Sequence, residues 1–156
     1  MCDLPENTVV DGEIVALDDP GRPNFNFLQH SKSQAKRICY FVFDLLVYQN
    51  RDLTQLPLNE RREILKSVLK FQSPRVRIAE YFQTSAEAML ESAAEQGLEG
   101  VVAKRKDSRY EPGKRGGAWA KYRVWPKNSN RLKWCSLRLH LFFSNCVLQS
   151  SVIHAV

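Results

Sequence analysis

Lys121 and Arg123 carry the plainest chemical message in this chain. They stand two apart in AWAKYRV, residues 118–124, whose aromatic and apolar residues read as a β-strand. Alternate residues of a strand share a face, so the two cations project together. Adjacent cations repel unless an anion sits between them, and a phosphate group fits that place. The guanidinium of Arg123 adds a bidentate fork to the point charge of Lys121. A preceding strand, LEGVVAKR at 98–105, brings one carboxylate, Glu99, near its start. An acid beside phosphate-binding cations suggests a divalent metal that bridges to the phosphate. The alternative is a solvated basic hairpin, with Glu99 in a salt bridge to Lys104 or an arginine. Lys104 ends that strand, and a structural ion pair or a phosphate contact both suit it. Trp119, on the face of Lys121, reads as packing. Between the strands Lys104, Arg105, Lys106, Arg109, Lys114 and Arg115 form a compact basic cluster. Such a loop tracks a nucleic-acid backbone or serves solubility.

Several elements must position these groups. TVVDGEIVAL (8–17) is apolar on both faces, as a buried strand requires, although Asp11-Gly12 alone favours a tight hairpin turn. DDPGRPN (18–24) is a turn-rich loop, and FNFLQH (25–30) reads as one helical turn. ICYFVFDLLVY (38–48) is a strand. Its alternation puts Cys39, Phe41, Phe43, Leu45 and Val47 on one face and Ile38, Tyr40, Val42, Asp44, Leu46 and Tyr48 on the other. Asn50 to Asp52 turns the chain, and Pro57 opens a helix whose apolar spacing runs to Lys70. VRIAEYF (76–82) predicts a strand, Thr84 with Glu87 a capping box, and Gly97 a helix end. Strands and helices alternate irregularly, which predicts an α+β fold.

Bulk composition adds bounds. With 156 residues, 44% of them hydrophobic and 26% charged, the chain suits one soluble domain with a real core. The net charge of +6 is uneven, since residues 125–156 hold four basic residues and no acid, leaving 19 basic against 17 acidic residues before them. The basic balance is therefore weak evidence of nucleic-acid binding, and the local cluster is better evidence. The four cysteines have no metal-ligand spacing, so free thiols are expected. Arg138, His140 and Asn145 interrupt the most apolar stretch, and the first residues lack a signal-peptide core. A soluble cytoplasmic protein with no membrane partner is expected.

VDGEI (10–14), YFVFDLL (40–46), EGVVAK (99–104) and AWAKYR (118–123), with SRYEPGKR between the last two, occur in an order that resembles one family. It is the adenylation (nucleotidyltransferase) domain of ATP-dependent DNA ligases, in particular the bacterial end-joining type. The resemblance covers roughly residues 7 to 124. It implies a partial nucleotidyltransferase domain, with largely antiparallel sheets flanked by helices. Its implied activity is nucleotidyl transfer that seals DNA nicks or ends in repair and recombination. ATP and Mg2+ (or Mn2+) would be the cofactors, with nicked or broken DNA and end-joining proteins of the Ku type as partners. Glu13 would hold the ribose or the metal, and Phe43 would stack on adenine. Its alternative is core packing. Glu99 would engage the metal, and Lys121 and Arg123 the α-phosphate and departing pyrophosphate.

The chain departs from the pattern at one point. The family nucleophile lies in Lys-x-Asp-Gly, whereas the only Asp-Gly here is Asp11-Gly12, with Val9 where the lysine would stand. These residues alone are expected not to self-adenylate, and strand 39–47 is expected to lack neighbours and offer an open edge. Residues 125–156 do not match; they are too few for the family's five-stranded barrel and are expected to be irregular. A catalytically dead nucleotide- or DNA-binding remnant, and an RNA ligase or capping-type nucleotidyltransferase, are the alternative readings.

Overall fold

The structure, a computed structural model, describes residues 4–19, 21, 37–69, 73–98, 100–113, 117–124 and 146–151. The chain divides into two compact units. The first comprises Met1–Ala79 with Asp107–Gly113, and the second Glu80–Lys106 with Lys114–Val156.

In the first unit β1 (Val9–Leu17) pairs antiparallel with β2 (Arg37–Tyr48). β1 is a continuous strand through Asp11-Gly12, not a turn. A hairpin then carries β2 into the short β3 (Arg51–Asp52) through Gln49 and Asn50. Both have positive φ, 48° and 65°, as a two-residue turn that matches strand twist demands. β4 (Val76–Ile78) lies parallel to β2, against Tyr40–Val42. It is shorter than the expected strand 76–82. β2 is therefore flanked by β1 on one side and by β3 and β4 on the other, so the expectation of an open edge at 39–47 is corrected.

Helix α1 (Leu58–Val68) begins after Pro57, buries Leu58 and Leu65, and presents Leu65 to the sheet. With Leu69 it packs on Val42, Leu45 and Leu53, and Tyr40, Ile64 and Val68 close the margin of this core. Leu45 joins Val42 there although simple alternation assigns them to opposite faces. Register explains it. Val9 pairs with Val47 but Val10 with Leu45, and Asp11 pairs with Asp44 but Gly12 with Val42. Leu46 and Phe43 are thus extra residues in β2, two bulges that reset which way the strand faces.

The second unit is an antiparallel sheet ordered β6 (Trp119–Arg123), β5 (Gly100–Arg105), β7 (Cys146–Ser151). Helix α2 (Ala86–Glu95) covers one face, where Met89 and Ala93 meet Val101 and Ala103, with Leu98, Tyr122 and Val124 around them. Its cap is one residue later than the predicted box, for the Ala88 N–H donates to Ser85 Oγ at 3.2 Å. Gly97 ends the helix as expected. At φ 69° it lets its N–H reach Ala94 O and the Leu98 N–H reach Ala93 O, at 3.1 and 2.8 Å. β7 departs from the expectation of an irregular tail: Cys146–Ser151 pairs along all of β5 and satisfies an edge that β6 leaves open. Residues 25–30, read as a helical turn, lie outside the described residues.

Candidate functional site

In the second unit Lys121 and Arg123 are both exposed on β6. Lys121 pairs with Val102 and Arg123 with Gly100, so these residues share the sheet face opposite the α2 core, where Val101 and Tyr122 lie. The expectation from spacing therefore holds: two cations project together from one strand. Trp119 and Lys104 are direct cross-strand partners on the same ladder. Lys104 is only 2% exposed, and its Nζ lies 3.8 Å from the centroid of the Trp119 ring and 5.6 Å from that of Tyr81. The ring faces supply negative potential to a cation withdrawn from water. Lys104 is thus a packed cation, unlike its exposed neighbours on β6. Glu99, the predicted metal and catalytic acid, lies outside the described residues.

In the first unit Glu13 pairs with Phe41, two positions before Phe43. Glu13 and Phe43 are both half-buried, whereas Val42, Asp44 and Leu45 around Phe43 are buried. Gly12 precedes Glu13 for a reason of space: a Cβ there would lie 2.6 Å from Phe41 O and under 3 Å from the Tyr40 ring. So β1 and β2 approach closely beside the two predicted site residues. The structure brings Glu13 and Phe43 onto one pair of strands, and Lys121 and Arg123 onto another.

Sequence reasoning missed a buried polar network in the first unit. Arg61 on α1 is fully buried and makes a two-pronged bond to Asp44, with Nε to Oδ1 at 2.8 Å and Nη2 to Oδ2 at 2.6 Å. Its Nη1 donates to Leu56 O and Ser108 O. Asp44 Oδ1 also accepts from the Leu45 N–H at 2.9 Å. Neighbouring Arg62 donates to Ala79 O. The signal was present: two arginines stand between Leu58 and Leu65 on the stripe that faces the core, and a lone aspartate interrupts an apolar strand.

The network reaches the loop of SRYEPGKR. The Tyr110 N–H donates to Thr54 O, and the Tyr110 hydroxyl donates to Asp11 Oδ2 at 3.0 Å. The Arg61 guanidinium lies 5.9 Å from the Tyr110 ring centroid. Burial first, then the Asp11 carboxylate, pushes the Tyr110 phenol up to about 12. Tyr40 is also raised, by burial and then by Asp11. Arg109 of the basic cluster reaches Gln55 Oε1 at a long 3.4 Å, while Lys114 and Arg115 lie outside the described residues.

Among the described residues no group of three or more His, Cys, Asp or Glu side chains is placed to hold a metal ion. Mg2+ is commonly held by one or two carboxylates together with substrate phosphates; of the two acids expected to hold it, Glu13 is the one within the described residues. Nor is any described helix long and apolar enough to cross a membrane.

A bulged antiparallel sheet with a half-buried aromatic, and a second antiparallel sheet with paired exposed cations, each with a helix packed on it, define an α+β protein. The chain belongs to the ATP-dependent DNA ligase domain family, whose model matches residues 2–123. It is 36% identical over 122 residues to a SPbeta prophage-derived DNA ligase-like protein LigB of Bacillus subtilis, covering 76% of this chain and 45% of that protein. It is 34% identical over 124 residues to the multifunctional non-homologous end joining protein LigD of Mycolicibacterium smegmatis, covering 79% of this chain and 16% of that one. The ligase domain of Mycobacterium tuberculosis LigD superimposes with a TM-score of 0.66 at 34% identity, over 76% of this chain and 39% of that chain. A mycobacterial DNA ligase D solved with ATP and MES gives 0.62 at 35% identity, over 76% of this chain and 38% of that chain. The chain thus spans less than half the length of these relatives.

Proposed function

We propose that these residues form part of the adenylation domain of an ATP-dependent DNA ligase that seals nicked or broken DNA in repair and recombination. The observation that carries the reading is the family match over residues 2–123, which contains all five predicted site residues. The exposed pair Lys121 and Arg123 supports it, since phosphoryl-type transfer needs positioning and charge neutralisation above all. Lys121 binds and orients the α-phosphate. Arg123, with its fork, holds the departing pyrophosphate. Phe43 stacks on the adenine, and Glu13 takes the ribose or the metal. Glu99 is the second metal ligand. Glu13 and Glu99 would hold Mg2+, which would supply neutralisation of phosphate charge. The nucleophilic lysine is not among the 156 residues, as none stands two before Asp11-Gly12. Ku-type end-joining proteins are the proposed partners and the cytoplasm the proposed location.

ATP titrated with Mg2+ into the full chain tests the reading. Saturable binding that weakens in both Lys121→Ala and Phe43→Leu is expected. Binding that neither substitution alters would refute the assigned pocket. A second titration with nicked duplex DNA tests the substrate, with binding that weakens as salt rises as the expected result.

A further inference from the structure

Asp44 and Arg61 are fully buried and paired with each other, and Asp44 directly follows Phe43 in the strand. Regular alternation would give Phe43 and Leu45 the same face, yet Leu45 is buried and Phe43 only half-buried. The slip in register between Asp11 and Gly12 accounts for it, with Phe43 as the extra residue of the bulge. A bulge disturbs the local backbone pairing. Here the N–H of Leu45, which lies between the extra residues Phe43 and Leu46, is taken by the Asp44 carboxylate. The same carboxylate is locked by both prongs of Arg61, which is anchored in turn by Leu56 O and Ser108 O. On the opposite strand Gly12 admits no side chain against Phe41 O.

Stability alone does not account for this pair, because well-packed apolar residues of similar volume commonly replace a buried ion pair at no loss. What apolar residues cannot replace is direction: two parallel hydrogen bonds fix the carboxylate plane, and with it the bulge. We propose that Asp44 and Arg61 are positioning residues that hold the bulge and so aim Phe43 at a nucleotide base. The inference rests on the reading of Phe43 as a base-stacking residue.

The test compares ATP with tripolyphosphate, which lacks a base, as ligands of the full chain. The variants are Phe43→Leu, Arg61→Lys and the double replacement of Asp44→Leu with Arg61→Met. The double variant is expected to unfold cooperatively, at a lower temperature because Leu56 O, Ser108 O and the Leu45 N–H lose these hydrogen bonds, to bind ATP about tenfold more weakly, as loss of one aromatic stack would give, and to bind tripolyphosphate unchanged. Adding Phe43→Leu to it should change little, since the ring is already misdirected. If Phe43→Leu weakens ATP binding but the folded double variant does not, the positioning role is overturned and the stacking role stands. If Phe43→Leu leaves ATP binding unchanged, the stacking role falls and the positioning role with it. Should the double variant fail to fold, Arg61→Lys decides. It keeps the charge and loses the fork, so weaker ATP binding with unchanged tripolyphosphate binding supports the proposal, and unchanged ATP binding overturns it.

Discussion

The two units use buried charge in opposite ways. In the first, Arg61 meets Asp44 and two backbone carbonyls, and its charge is spent inside the unit. In the second, Lys104 is buried against the rings of Trp119 and Tyr81, while Lys121 and Arg123 on the next strand stay exposed. A guanidinium suits the first setting because its donors lie in a rigid plane that matches a carboxylate, whereas the ammonium of the second is a point charge set against ring faces. Charges that are fully matched build the fold, and those left at the surface remain available to a ligand.

The sharpest way to break this contrast is to remove one partner from each setting. Arg61→Ala leaves Asp44 buried and uncompensated, and a loss of about 3–5 kcal/mol in denaturant unfolding is expected. Lys121→Ala and Arg123→Ala should each leave stability within about 0.5 kcal/mol yet weaken ATP binding by roughly 1.5–3 kcal/mol, the range for a charged hydrogen bond. Equal effects of all three on unfolding would erase the distinction. Trp119→Leu tests the ring contact of Lys104. Because the ammonium is almost wholly buried, a cost of about 2 kcal/mol is expected. Lys104→Met in the same background should recover part of it, as measured by thermal unfolding.

The smallest expected effect is in alkaline pH. Tyr110 is raised from 10.0 to about 12 by burial and by Asp11. A raised phenol contributes stability that is complete below its ordinary range and is lost as pH climbs through the folded value. The window is therefore about pH 10 to 12, with a contribution of roughly 1 kcal/mol once solvent screening of a half-exposed group is allowed for. Ultraviolet titration of tyrosinate should show late ionisation in the intact chain, and Asp11→Asn should bring both Tyr40 and Tyr110 down. A phenol titration unchanged by Asp11→Asn would remove Asp11 as a cause.

Much of this was legible in the sequence where local rules dominate. Alternation sufficed for Lys121 and Arg123 because β6 is a regular strand paired residue for residue with β5. The Gly97 helix end followed from the freedom of glycine at positive φ. Alternation failed in β2, where two bulges place Leu45 with Val42 and change the surroundings of Phe43. A bulge depends on the partner strand and is invisible in one segment. The ion pair of Asp44 with Arg61 spans 17 positions and joins a strand to a helix, so spacing within either element does not reveal it. The six residues of β7 were unreadable for a similar reason: their order comes from the open edge of β5.

Residues 107–113 belong to the first unit although the chain on either side belongs to the second. Neither unit is a single stretch of sequence, which governs how the protein can be dissected. A piece ending at Ala79 would keep Arg61, Thr54 and Asp11 but surrender Ser108 O and both polar groups of Tyr110 that they bind. Protease cleavage on either side of the segment would separate the backbone without at once releasing it, since four hydrogen bonds to Arg61, Thr54, Asp11 and Gln55 retain it. The seven residues are better regarded as a spliced-in part of the first unit than as a loop of the second, and any boundary drawn for expression should carry them with α1.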